Sequence, residues 1–128
     1  MNKLGQRLEK EGFRLNLRGA FLRRTDLSHT RLKEANLSRA DFAHANFRGA
    51  DFEDAILEGT NLVGADLTDA KFVGADLNGT LLDGAILKGA DLSGAKNLTP
   101  AQLQSAVVDE RTKLPSNILR TSGRILQG

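Results

Sequence analysis

The 128-residue chain predicts an all-β fold, a β-solenoid of short extended pieces and tight turns. Three observations predict it. From Leu17 to Leu92 every fifth position is Leu or Phe, sixteen times without a break. Two residues before each stands a small residue: Ala eleven times, then Thr25, Thr30, Thr60 and Thr80, with Leu15 as the exception. Nine of the thirteen Gly fall two residues after the Leu or Phe. A period of five fits neither the 3.6 of a helix nor the 2 of a strand, and it is not a heptad. In a helix each Gly would cost about 1 kcal/mol relative to Ala. Stacked coils remain as the reading.

The elements follow in chain order. Residues 1–14 read as an N-terminal cap. Leu4 and Leu8 share a face of a short helix over Lys3–Glu11, and Gly12 stops it. Such a cap is needed because the end of a solenoid exposes apolar core and open backbone edges. Phe13 and Leu15 lead into the first coil. Residues 15–95 are the repeats. Where Gly follows the central pair, a type II turn is expected, because its third residue needs positive φ. Arg24, His29, Glu34, Arg39 and His44 stand where other repeats have Gly. Positive φ is costly for them, so type I or irregular turns are expected there. If each pentapeptide is one side and each turn a right angle, four repeats close a square. The period alone leaves the number of sides open.

The repeats ANLSR, ADFAH, ANFRG, ADFED, ADLTD, ADLNG and ADLSG resemble the pentapeptide-repeat proteins, whose consensus is A(D/N)LXX. The resemblance covers about residues 15–95. It implies a right-handed quadrilateral parallel β-helix with twenty residues per coil, hence about four coils, with short capping helices at both ends. It also implies that Leu/Phe and the preceding Ala/Thr point inward. Phe42, Phe47 and Phe52 then share the second coil, and Phe72 lies one coil beyond Phe52. A step of twenty sets Arg31, Asp51, Lys71 and Asp91 one above another as an alternating charge ladder, with Lys33 and Glu53 aligned the same way.

Residues 96–128 read as a C-terminal helix and tail. Thr99-Pro100-Ala101-Gln102 has an N-cap, Pro at the first helical position and Gln at the third. Leu103, Ala106 and Val107 form an apolar stripe, so a helix over Pro100–Val108 is expected to close the last coil. The segment LTPAQL…DERTKLP also resembles the C-terminal end of this family. Beyond Pro115, Ile118, Leu119, Ile125 and Leu126 make a tail that packs back, shielding Leu81 or Ile86, or pairs with a second chain.

Composition excludes several functions. There is no Cys, hence no disulfide framework and no thiolate site. The start lacks a signal-peptide core, and no apolar run nears the roughly 18–20 residues of a membrane span. A cytoplasmic, bacterial protein is the expectation. The net charge of +2 hides a gradient: +6 over residues 1–48, −7 over 49–95 and +3 over 96–128. A nucleic-acid binder would be uniformly basic, so no direct nucleic-acid contact is expected. His29 and His44 lie on different coils and sides, which gives no metal site. The Asp and Asn before the central Leu serve turn backbone rather than acid–base chemistry, which needs a pocket. No catalytic residue, cofactor or metal is expected.

Some members of the family resemble B-DNA and act on DNA gyrase. The acidic stretch from Asp51 to Asp91 raises that alternative, a DNA mimic modulating a DNA-binding enzyme. The favoured expectation is a non-enzymatic scaffold for an unknown protein partner, monomeric or dimeric through the C-terminal segment. Its surface would be the outward slots where an apolar residue replaces a polar one: Phe21, Ile56, Val63, Val73, Leu81 and Ile86.

Overall fold

In the computed structural model, which describes residues 14–121 and 124–127, the backbone repeats every twenty residues. Isolated parallel bridges link residues twenty apart in four columns, with a last step of twenty-one in one column and twenty-two in another. Column one is Asn16, Asn36, Ile56, Asp76 and Lys96. Column two is Phe21, Asp41, Asn61 and Leu81, and column three runs Asp26, Asn46, Asp66, Ile86 and Val107. Column four is Arg31, Asp51, Lys71, Asp91 and Lys113. Each column is the outer line of one face. The helix expected over Lys3–Glu11 lies outside the described residues.

Each repeat supplies one outward residue between two inward ones. The small residue points in because the Leu and Phe side chains already fill the shaft. Leu27 through Leu92 are buried at the central positions, and each contributes about 1.5–3 kcal/mol. Leu17 and Leu22, in the first coil, are only half-buried. Phe42 and Phe47 pack edge to face at 5.1 Å, and Phe47 and Phe52 at 5.0 Å. Phe52 and Phe72 stack at 4.8 Å with planes 7° apart, one coil over the next. The inward Thr hydroxyls are satisfied: Thr60 and Thr80 donate to the carbonyls of Leu37 and Leu57 at 2.7 Å.

The turns correct the sequence reading. Every fifth residue from Gly19 to Gly94 has positive φ, and Arg24, His29, Glu34, Arg39 and His44 take φ of 58–63° like their Gly counterparts. In the turn Leu32–Ala35, the Ala35 N–H donates to the Leu32 carbonyl at 3.0 Å, and only the third residue, Glu34, has positive φ. That is a type II turn, not type I. The reason is collective. The His29 N–H donates to Arg48 of the next coil at 2.8 Å and the Glu34 N–H to Glu53 at 2.9 Å. Stacking fixes the turn, and the non-Gly residue bears the strain.

The C-terminal segment continues the coil in modified form. The Thr99 hydroxyl accepts from the Gln102 N–H, and the Gln102 side chain accepts from the Thr99 N–H at 2.8 Å. This capping box starts helix α1 (Pro100–Leu103). The Gln102 amide also donates to the carbonyls of Leu77 and Thr80 at 2.8 and 3.0 Å, fastening α1 to the coil beneath. Leu103 is buried. The helix stops at Leu103 rather than Val108 because Val107 is extended: its N–H donates to Ala85 at 2.8 Å and its carbonyl accepts from Leu87 at 2.7 Å. Val107 is thus exposed on a face instead of closing the end. Lys113 then stacks on Asp91. The tail folds as an antiparallel hairpin, β1 (Ile118–Thr121) with β2 (Arg124–Gln127). Ile118 is buried in the core, Leu119 is exposed, and β2 lies against α1. Ile86 is half-buried beside Val107, while Leu81 stays exposed.

Candidate interaction surface

The outward side chains divide into those the backbone needs and those it does not. Asn16, Asp26, Asn36, Asp41, Asn46, Asp51, Asn61, Asp66, Asp76 and Asp91 are of the first kind. Each accepts from the backbone N–H two residues on, at 2.9–3.1 Å. These are Asx turns, which satisfy the turn backbone. Asp109 repeats the device with the Arg111 N–H at 3.0 Å. No acid–base site follows from carboxylates engaged in this way.

Several carboxylates also hold cations. Hydrogen bonding from the Arg23 guanidinium, 2.7 Å away, holds the Asp41 carboxyl below the usual carboxylate range. Burial pushes Asp66 upward, but the Thr68 hydroxyl and N–H and the Arg48 guanidinium outweigh it and leave the carboxyl lowered. Asp91 follows the same balance. Burial raises it, and the Ser93 hydroxyl and N–H, with Lys113 and Lys71 above and below, bring it down. The charge ladder on face four is therefore present, and Lys113 adds a rung that the sequence spacing concealed. Lys33 and Glu53 pair at 3.6 Å.

Of the six expected surface residues, four are exposed: Phe21 at 74%, Leu81 at 49%, Ile56 at 42% and Val73 at 38%. Val63 and Ile86 are half-buried. They do not form one patch. Phe21 and Leu81 sit at opposite ends of face two, and Val63 lies in the turn column beside it. Ile56 is on face one and Val73 at the corner before it. Ile86 is on face three with Val107, an exposed residue that the sequence reading placed inside. Ile56 floors a shallow groove of about 440 Å³ lined by Arg14, Glu34, Asp54, Asp76 and Lys96, in which Arg14 and Glu34 pair at 2.7 Å.

His29 and His44 rise from different turn columns, each laid against the Gly one coil on, Gly49 and Gly64. Among the described residues no group of three or more His, Cys, Asp or Glu is arranged to hold a metal, and no helix is long and apolar enough to cross a membrane.

The family model described as pentapeptide repeats matches eight copies, over residues 14–42, 20–59, 35–72 and 60–96. Among solved structures, a pentapeptide repeat protein from the Arabidopsis thaliana thylakoid lumen is 28% identical with a TM-score of 0.59, covering 77% of this chain and 60% of that one. The pentapeptide repeat protein Rfr23 from the cyanobacterium Cyanothece is 32% identical with a TM-score of 0.49, covering 77% and 63%. QnrB1, a plasmid-mediated fluoroquinolone resistance protein, is 24% identical in a trypsin-treated R167E form, with a TM-score of 0.54, covering 88% and 53%. The chain thus spans about three fifths of the first two. No curated protein matches it.

Proposed function

The chain belongs to the pentapeptide-repeat family, and on that footing we propose that it is a non-enzymatic, single-domain scaffold that presents a rigid surface to a partner protein. The form proposed is a right-handed, four-sided column of about four coils, closed at each end by its terminal segments, in the cytoplasm. The observation that carries the reading is the choice of residue at slots the backbone does not constrain. Phe21, Ile56, Val73 and Leu81 expose apolar surface there, where neighbours in the same columns are mostly polar. A fold that gains nothing from these side chains keeps them for contact.

The DNA-mimic reading needs a continuous acidic band. No column supplies one among the described residues: face four alternates in sign, and faces one, two and three interrupt their acids with Asn or apolar residues. Arg23 and Arg48 further neutralise Asp41 and Asp66. Affinity capture with the wild-type chain and an Ile56→Asn, Val73→Asn variant of unchanged melting temperature tests the scaffold reading. Loss of a specific captured protein supports it, and identical capture overturns it for that pair.

A further inference from the structure

Face two differs from the others in how its charges are placed. Its outer column is apolar at both ends and polar between, Phe21, Asp41, Asn61, Leu81. The turn residue two positions after each reads Arg23, Ala43, Val63, Asp83. Arg23 lies on this face: its guanidinium stands 5.5 Å from the Phe21 ring centroid and donates to Asp41. So the apolar residue at one end has a cation beside it, reinforced by Arg24, and the apolar residue at the other end has an anion at the same spacing. Neither Arg24 nor Asp83 makes a side-chain ion pair with a described residue.

We infer that face two is an antiparallel two-fold contact between two copies of this chain. A two-fold axis lying in the face, across the column and midway between Asp41 and Asn61, exchanges the first coil with the fourth and the second with the third. It sets Phe21 against Leu81 of the second copy and Asp83 against that copy's Arg23 and Arg24. Asp41 meets Asn61, while Ala43 is buried and takes no part in the contact. Every pairing is apolar with apolar, cation with anion, or carboxylate with amide, and each occurs twice, as an isologous contact requires. A parallel arrangement sets like on like, Arg23 and Arg24 against their own copies and Asp83 against its own. Electrostatics selects the antiparallel one. The face is about four coils tall at about 4.8 Å each, which puts it in the class of small contacts, under about 1,200 Å², that associate weakly. The dimer is therefore concentration- and salt-dependent.

The inference rests on the scaffold reading for Phe21 and Leu81 and names their partner. Ile56 and Val73, on another face and corner, belong to the capture experiment alone, so the two can fail separately. Sedimentation equilibrium of the full chain, from micromolar to hundreds of micromolar, tests it. Dimerisation is expected, weakened by high salt. Asp83→Arg and Arg24→Asp should each weaken it by roughly tenfold or more, while the double charge swap restores it. Circular dichroism melting checks that each variant is folded. A monomer at every concentration overturns the inference. So does a dimer indifferent to both single reversals, or a swap that fails to restore it.

Discussion

Arg39 and Gly59 occupy the same corner column one coil apart, with φ of 60° and 67°. If stacking imposes the turn, residue 39 bears a strain that residue 59 does not. The left-handed conformation costs an L-residue about 1–2 kcal/mol. Replacing Arg39 by Gly relieves it, less about 0.5–1 kcal/mol for the greater chain entropy lost by Gly on folding. Arg39 makes no ion pair with a described residue, so little else is removed. Arg39→Gly should therefore stabilise by about 0.5–1 kcal/mol. With an unfolding entropy near 2.1 cal/mol/K per residue, that is a rise of about 2–4 °C. Gly59→Ala is the reverse experiment. Its new Cβ would stand 3.6 Å from the Arg39 Cγ, an ordinary contact, so the cost is conformational: about 1 kcal/mol, a fall of about 4 °C. Thermal melts by circular dichroism read both. A lower melting temperature for Arg39→Gly, or none lost by Gly59→Ala, refutes the claim that coil stacking holds these turns against residue preference.

Two further outcomes follow from the same geometry. Asp41, Asp66, Asp91 and Asp109 all have carboxyls lowered in the folded state. Their stabilisation is complete above the unfolded value of about 3.9 and is lost as pH falls through the lower folded values. Urea midpoints should be level from pH 7 to about 5 and decline below about 4, and a decline already complete at pH 5 would contradict this. Deleting residues 99–128 removes Leu103 and Ile118 from the core and the Gln102 amide from the Leu77 and Thr80 carbonyls. The truncated chain should melt lower and aggregate, and one that stays free of aggregates with unchanged stability shows that the segment closes nothing.

What was legible in the sequence was what one repeat decides by itself. The inward Leu and Phe, the small residue two before them and the Asx turns each follow from a residue and its immediate neighbours. The Phe52–Phe72 stack needed only the step of twenty. The misread features are those settled between coils. A His or Arg at a turn looks unsuited to positive φ when its own preference is weighed alone. The hydrogen bond from the His29 N–H to Arg48 belongs to another repeat and decides otherwise. A helix to Val108 is expected because Val107 fits an apolar stripe, yet the strand-like partner of Val107, Ile86, lies twenty-one residues back. Lys113 stacks on Asp91 after a step of twenty-two. Insertions of one and two residues were enough to hide the continued coil. On the surface, the apolar slots could be listed from sequence. That Arg23 lies over Phe21, and that the six residues scatter over several faces, required the columns.

The columns also explain why one face stands apart. A solenoid with an invariant interior can vary only outside, and each outer strip is neutralised within the chain or left open. Face four closes its own electrostatics: Arg31, Asp51, Lys71, Asp91 and Lys113 alternate along the stack, and the Asp91 carboxyl, raised by burial, is lowered on balance by the Ser93 hydroxyl and N–H and, to a smaller degree, by Lys113 and Lys71. Exposed pairs of this kind are worth about 0–1 kcal/mol each, so the ladder sets register more than stability. It also leaves the face little net charge for attracting a partner. Face two does the opposite. Arg23 pairs with Asp41, whereas Arg24 and Asp83, at opposite ends of the stack and each near an exposed apolar side chain, make no ion pair with a described residue. Within one chain those charges lie about three coil rises apart, roughly 14 Å, beyond a Debye length at physiological salt. In the two-fold contact proposed above they would meet across two chains.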